Sequence, residues 1–214
     1  MTFVDADLPL EELQKFVKPN TRAVFGETIA NPALSVLDIE KFAQLAHNNN
    51  CPLIVDNTFA TPFLCRPFEF GADIVIHSTT KYMDGHGSAV GGCIVDSGKF
   101  DWTKYPEKYP GLCTPDESYH GVTYTERFGL EGAYITKATA QLMRDFGCCQ
   151  QAQAAYVLNL GLESLHLRMK KHCENGLAVA KFLESDDRIA WVRFPHLEGD
   201  SNYDLAMKYM PNGG

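Results

Sequence analysis

Four short apolar runs punctuate the first hundred residues: RAVFGETI (22–29), PLIVDNTF (52–59), DIVIHST (73–79) and VGGCIVD (90–96). They are rich in Val and Ile and do not alternate cleanly between apolar and polar positions, which is the pattern of strands covered on both faces. Such runs separated by helical or loop segments predict an α/β architecture with a mostly parallel sheet flanked by helices. Between the first two runs, SVLDIEKFAQLAHNN begins with Ser35 and Asp38 at capping-box spacing, and it sets Leu37, Phe42 and Leu45 on a helix-compatible face. The asparagines 48–50 stop it. This is a strand–helix–strand unit, and right-handed crossover lays its two strands side by side.

The pattern changes at KFDWTKYPEKYPGLCTPDESYHGVTY (99–124), where Pro, Gly and aromatic residues crowd together without a period, as in a long ordered insertion. Helical periodicity returns from Glu126. In GLESLHLRMKKHCENGLAVAKFLES, steps of three and four residues place Leu162, Leu165, Met169, Cys173, Leu177 and Ala180 on one face. IAWVRFP (189–195) then reads as a fresh strand. The expected division is residues 1–152 as part of a large domain and 153–214 as the beginning of a smaller C-terminal α/β domain, in a chain that reads as cut at both ends.

Composition narrows the partners. The 214 residues carry a formal charge of −8, and no basic stripe is available to neutralise a nucleic-acid backbone or an anionic membrane. The first residues lack a signal peptide's basic start and apolar stretch, and no apolar run is long enough to span a bilayer. Seven cysteines, odd in number and without a CxxC pair, argue against a disulfide framework or a zinc site and for a reduced, cytoplasmic protein.

Ligand crevices in parallel sheets form at the carboxyl ends of the strands. The residues that end the apolar runs are Glu27 and Asn31, then Asp56, Asn57 and Thr58, then Ser78, Thr80 and Lys81. A pyridoxal phosphate site needs a lysine amine for a Schiff base, an acid that keeps the pyridine nitrogen protonated, and donors for a phosphate. Lys81, Asp56 and the Ser78/Thr80 pair match those needs in that order. Taken singly, Asp56 reads as a turn cap, Ser78 and Thr80 as partners of loop backbone, and Lys81 as a solvated surface residue. The coincidence at adjacent strand ends favours the site.

Other motifs carry less. The glycines of GHGSAVGG do not make a dinucleotide fingerprint and serve close backbone approach instead. His77, His86 and Cys93 lack metal-ligand spacing, so no metal is expected. Cys148 and Cys149 read as small apolar groups packed within a helix, and His120 as a structural loop histidine.

The stretch ETIANPALSVLDIEKFAQLAHNNNCPLIVDNTFATPFLCRPFEFGADIVIHSTTKYMDGHGSAVGGCIVD resembles the Cys/Met-metabolism family of pyridoxal-phosphate enzymes. That family pairs a VDNT stretch, here Val55–Thr58, with an S-x-T-K-Y stretch, here Ser78–Tyr82, and a Gly-His beyond it, here Gly85–His86. The insertion with SYHGVTYTE is most similar to the O-acetylhomoserine sulfhydrylases of the family. The resemblance implies a fold-type I core and pyridoxal 5'-phosphate (PLP) as cofactor. It implies Lys81 as Schiff-base lysine and proton shuttle, Asp56 as partner of the pyridinium, Ser78 and Thr80 on the phosphate, Asn31 near the cofactor hydroxyl and Thr58 supporting the ring.

The implied reaction is γ-replacement, in which O-acetylhomoserine and sulfide or a small thiol give homocysteine or its analogue and acetate. The implied assembly is a homo-oligomer, a tetramer in the family. Alternatives are a cystathionine or methionine γ-lyase elimination at the same site, or a non-catalytic core that associates through its exposed edges. Family chains are longer. The ring-stacking tyrosine and phosphate loop of their amino-terminal part, and the carboxylate-binding arginine of their carboxy-terminal part, have no counterpart here. The expectation is that residues 1–214 alone are inactive.

Overall fold

The computed structural model describes all of residues 1–214. The four predicted runs form one sheet in the order β1 (Val24–Glu27), β2 (Leu53–Asp56), β3 (Ile74–Ser78), β4 (Gly92–Asp96). β1, β2 and β3 are parallel, with Glu27 opposite Asp56 and Asp56 opposite Ile76. β4 runs antiparallel to β3, pairing Ser78 with Gly92 and Ile74 with Asp96. The connection from Ser78 to Gly92 contains no helix that could carry the chain back across the sheet, so the returning strand pairs in the opposite sense.

The helices are α1 (Leu10–Gln14), α2 (Ile39–Asn48), α3 (Thr61–Leu64), α4 (Pro110–Cys113), α5 (Tyr124–Thr136), α6 (Arg144–Phe146), α7 (Ala152–Glu184) and α8 (Tyr203–Tyr209). α2 makes the crossover from β1 to β2 and buries Ile39, Phe42, Ala43, Leu45 and Ala46. Its N-cap is Asp38, which accepts from the Lys41 amide at 3.3 Å and from the Tyr209 hydroxyl at 2.6 Å. The predicted capping box therefore shifts by one turn. Ser35 is taken up instead by a local turn, its carbonyl accepting from the Ala30 amide.

Alternation along the strands splits the interior in two. Leu53, Val55 and Val75 face a large core shared with α2, with Leu165 and Met169 of α7, and with Ala206, Tyr209 and Met210 at the end of the chain. That one cluster runs across residue 152. Ile74 faces a smaller aromatic core built by the insertion, with Phe100, Trp102, Leu112, Tyr124 and Ala133. Within it Trp102 stacks on Tyr134 at 5.6 Å, and Asp116 of the insertion is tied at 2.7 Å to Lys137, just beyond α5.

α7 extends for about 50 Å. Of the predicted stripe, Leu165, Met169 and Ala180 are buried, and Leu162, Cys173 and Leu177 are half-buried. Two expectations fail. IAWVRFP forms no strand, because no strand of the chain lies beside it to supply ladder hydrogen bonds, and Trp191 is exposed. Cys148 and Cys149 are exposed in the link between α6 and α7 rather than packed within a helix, since Gly147, at φ 73°, ends α6 just before them.

Candidate active site

Because β2 and β3 are parallel and in register, their carboxyl ends open on the same edge. Asp56 and Ser78 leave their strands toward the same face, one residue pair apart along the ladder. The backbone then turns sharply at both ends. The Thr58 amide donates to Asp56 Oδ1 at 2.9 Å, and the Ser78 amide donates to Thr58 Oγ1 at 2.7 Å, so three predicted residues are linked directly.

Beneath them Asn57, fully buried, accepts from the Thr28 hydroxyl at 2.7 Å and donates to the carbonyls of Thr61 and Cys65 at 3.1 and 2.9 Å. Asn57 is thus a strand-end residue that faces the core and braces three segments. After Ser78 the chain folds into a compact turn in which the Asp84 amide donates to Thr79 and the Gly85 amide to the Lys81 carbonyl, at 3.0 and 2.9 Å. The Asp84 carboxylate, buried, accepts from the amides of Ser88 and His86, and these bonds hold it below the usual carboxylate range.

Asn31, Asp56, Thr58, Ser78 and Lys81 meet around a cleft of about 530 Å³. Glu27, Ile29, Phe59 and Tyr82 complete its wall. Thr80 does not line it: its hydroxyl accepts from the Gly91 amide at 3.0 Å and donates to the Gly91 carbonyl at 3.2 Å. His77, on the opposite face of β3 from Ser78, is buried with Nδ1 unpartnered, and burial pushes its imidazole below the usual range.

The polar groups of the cleft are largely uncommitted. Lys81 Nζ, Asp56 Oδ2, Ser78 Oγ and the Asn31 side-chain amide make no hydrogen bond within the chain, while the polar groups of Asn57 and Thr80 just beside them are fully engaged. An amine, a carboxylate oxygen, a hydroxyl and an amide converging on one cleft are the donor set that a phosphorylated pyridine aldehyde requires. The residues present therefore fit PLP. A larger cavity, of about 1070 Å³, lies on the aromatic side between Ile54, Ile76, Trp102, Tyr134 and Met143, and it contains none of the five cleft residues.

Pattern reading overlooked Phe59 and Tyr82, although each directly follows a predicted residue. It also overlooked Arg168 of α7, whose guanidinium donates to the Tyr82 carbonyl at 2.8 Å. No local signal marks that contact.

The strand order and the lysine-bearing cleft define an α/β protein with a candidate site on its strand ends, and the likeness to a solved PLP enzyme given below makes it fold type I. The family model for Cys/Met metabolism PLP-dependent enzymes matches residues 1–214, and the chain belongs to that family. It is 46% identical over 212 residues to a homocysteine/cysteine synthase of Saccharomyces cerevisiae, covering 99% of this chain and 47% of that protein. It is 41% identical over 218 residues to an O-acetyl-L-homoserine sulfhydrylase of Leptospira meyeri, covering 99% and 49%. Among solved structures it superposes, with a TM-score of 0.88 and 37% identity over 94% of this chain and 49% of the other, on a Campylobacter jejuni protein assigned as an O-acetylhomoserine (thiol)-lyase. That structure carries a pyridoxyl-lysine phosphate. The chain spans about half the length of the curated relatives it matches.

Proposed function

We propose that this chain contributes the cofactor lysine and the strand-end half of the site of a PLP-dependent sulfhydrylase. That enzyme converts O-acetylhomoserine and sulfide, or a small thiol, into homocysteine or its analogue and acetate. The observation that carries the reading is the convergence of four uncommitted polar side chains, one of them the amine of Lys81, on one cleft.

Bound PLP supplies an electron sink for the negative charge that develops when a proton leaves the amino acid. The chain's residues do the rest. Lys81 would anchor the cofactor through Nζ, and the same amine is the base that would hold and move the substrate's Cα proton. Asp56, held by the Thr58 amide through Oδ1, has Oδ2 free and would keep a proton on the pyridine nitrogen. Ser78 would hold the phosphate, Asn31 the ring hydroxyl, and Thr58, fixed by the Ser78 amide, would support the ring. The Thr80 hydroxyl reaches a phosphate only by releasing Gly91, so its part is to hold the turn that carries Lys81.

The names of the relatives support sulfide as the acceptor. A homo-oligomer and a cytoplasmic location belong to the same proposal; no helix is long and apolar enough to cross a membrane. Addition of PLP, reduction with borohydride and peptide mapping test the reading. Label concentrated on Lys81 is expected; label spread over the exposed lysines overturns it.

A further inference from the structure

The amine of Lys81 has no bond of its own to hold it, so its position depends on the backbone that carries it. Within the turn that backbone is restrained by the Gly85 amide on the Lys81 carbonyl at 2.9 Å and by a longer bond, 3.3 Å, from the Lys81 amide to Ser78. The Asp84 amide on the Thr79 carbonyl and the Thr80 hydroxyl on Gly91 brace the same turn from within, and a restraint from outside it comes from α7. Arg168 Nη1 donates to the Tyr82 carbonyl at 2.8 Å, Nη2 to the Gly161 carbonyl at 2.7 Å, and Nε to Ser164 Oγ at 3.0 Å. One turn further along α7 the His172 ring lies 5.2 Å from the Tyr82 ring.

Two glycines make room for this contact. A Cβ on Gly161 would stand 2.6 Å from the Met83 carbonyl oxygen, and a Cβ on Gly85 would strike the Arg168 guanidinium. Arg168 forms no ion pair, so its rigid fork serves carbonyls and a hydroxyl only.

We propose that Arg168 is a positioning residue for the Lys81 amine. By holding the Tyr82 carbonyl against Gly161 it fixes the turn that aims Lys81 into the cleft, and it joins the placement of α7 to that of the amine. The proposal rests on the assignment of Lys81 to PLP. Arg168→Lys keeps the charge and the stem and loses the fork, because a single ammonium cannot hold both carbonyls and the serine in this geometry.

The test compares the 214-residue chain with its Arg168→Lys and Ser164→Ala variants. Each is incubated with PLP and reduced with borohydride, and label on Lys81 is expressed relative to the other lysines of the same molecule. Amide exchange of the peptide spanning 79–85 is followed without PLP, and thermal melting reports the folded fraction. Arg168→Lys is expected to lower Lys81 labelling about tenfold and to speed exchange of that peptide by a similar factor, while the chain stays folded. Ser164→Ala, which removes one bond to the fork, gives a smaller change in the same direction. Labelling and exchange equal to the parent chain in folded Arg168→Lys overturn the proposal. Should Arg168→Lys not fold, unchanged labelling and exchange in Ser164→Ala overturn it instead. If the parent chain does not label Lys81, the PLP assignment fails, and the exchange comparison still decides whether Arg168 holds the turn.

Discussion

The cleft at the strand ends and the insertion over the aromatic core use similar side chains in opposite ways. In and around the insertion Lys108, Tyr109 and Lys137 are engaged, although the buried Tyr124 hydroxyl is not. Lys137 donates to Asp116 at 2.7 Å and to Gln141 at 2.6 Å and lies 4.7 Å over the Tyr124 ring. Lys108 donates to the Asn49 carbonyl and the Cys51 sulfur, and the Tyr109 hydroxyl reaches the carbonyls of Arg22 and Asn50. In the cleft Lys81, Ser78 and one oxygen of Asp56 have no such partners. A buried or half-buried polar group normally finds a partner within the fold, since leaving it unmatched costs stability. Ser78 Oγ and Asp56 Oδ2, both on half-buried residues, depart from that rule, and the exposed Lys81 and Asn31 open onto the same cleft.

The sharpest way to break this comparison is to exchange the two kinds of lysine. Lys81→Ala is expected to abolish borohydride-fixed PLP at its peptide and to change stability by less than about 0.5 kcal/mol, because the residue is exposed and makes no side-chain bond. Lys137→Ala is expected to leave labelling of Lys81 intact and to lower the melting temperature, since it strips Asp116 of its charged partner and leaves it only Ser118. Peptide mapping and calorimetry on both variants read the two effects separately. A large stability loss in Lys81→Ala would show that the lysine is a structural residue.

Asn57 comes next in size. It sits between Asp56 and Thr58 in the sequence, yet it belongs with the engaged groups. Asn57→Ala leaves the Cys65 carbonyl and the Thr28 hydroxyl unmatched in the core and takes one of two donors from the Thr61 carbonyl, at a cost of about 3 kcal/mol. Urea unfolding measures this, and a loss under about 1 kcal/mol would mean that the buried groups find other partners.

This residue also shows what pattern alone can tell. The strands and the cleft side chains Asn31, Asp56, Thr58, Ser78 and Lys81 were legible because apolar runs stop where polar chemistry begins. Alternation also separates Asp56 and Thr58 from the inward Asn57, but only once the strand is known to have one face on each of two cores. What was not legible depends on distant contacts. The grip of Arg168 on Tyr82 spans 86 positions. Ladder pairing decides that IAWVRFP makes no strand and that β4 runs antiparallel. The second of these brings Gly91 beside Thr80 and diverts its hydroxyl from the cleft.

Ser78 and Thr80 refine the comparison within a single motif. Ser78→Ala removes an uncommitted hydroxyl, so it is expected to weaken retention of PLP while leaving the unfolding midpoint unchanged. Thr80→Val removes the partner of the Gly91 amide and one of the two donors to the Gly91 carbonyl, and is expected to cost about 1 kcal/mol. Equilibrium dialysis against PLP and urea unfolding, run on both variants, separate the two roles. If Thr80→Val loses cofactor without losing stability, its hydroxyl serves the phosphate and the bond to Gly91 gives way when PLP binds.

The smallest effect concerns pH and lies in the insertion. Hydrogen bonds from Lys137 and then Ser118 hold the Asp116 carboxyl at about 2, below its ordinary value of 3.8. A carboxyl lowered in the folded state contributes stability that is complete above the unfolded value and is lost as pH falls through the folded one. The tie between Asp116 and Lys137 should therefore hold the insertion at neutral pH and weaken as pH drops from about 4 toward about 2. Trp102, stacked on Tyr134 in the same core, reports it, and Trp191→Phe removes the only other tryptophan, which is exposed. Fluorescence of the Trp191→Phe chain is expected to change in that window, and the additional Asp116→Asn substitution to flatten the change. If the transition persists unaltered with Asn at 116, another carboxylate governs the acid response, and the engaged pair in the insertion holds less of its structure than its geometry indicates.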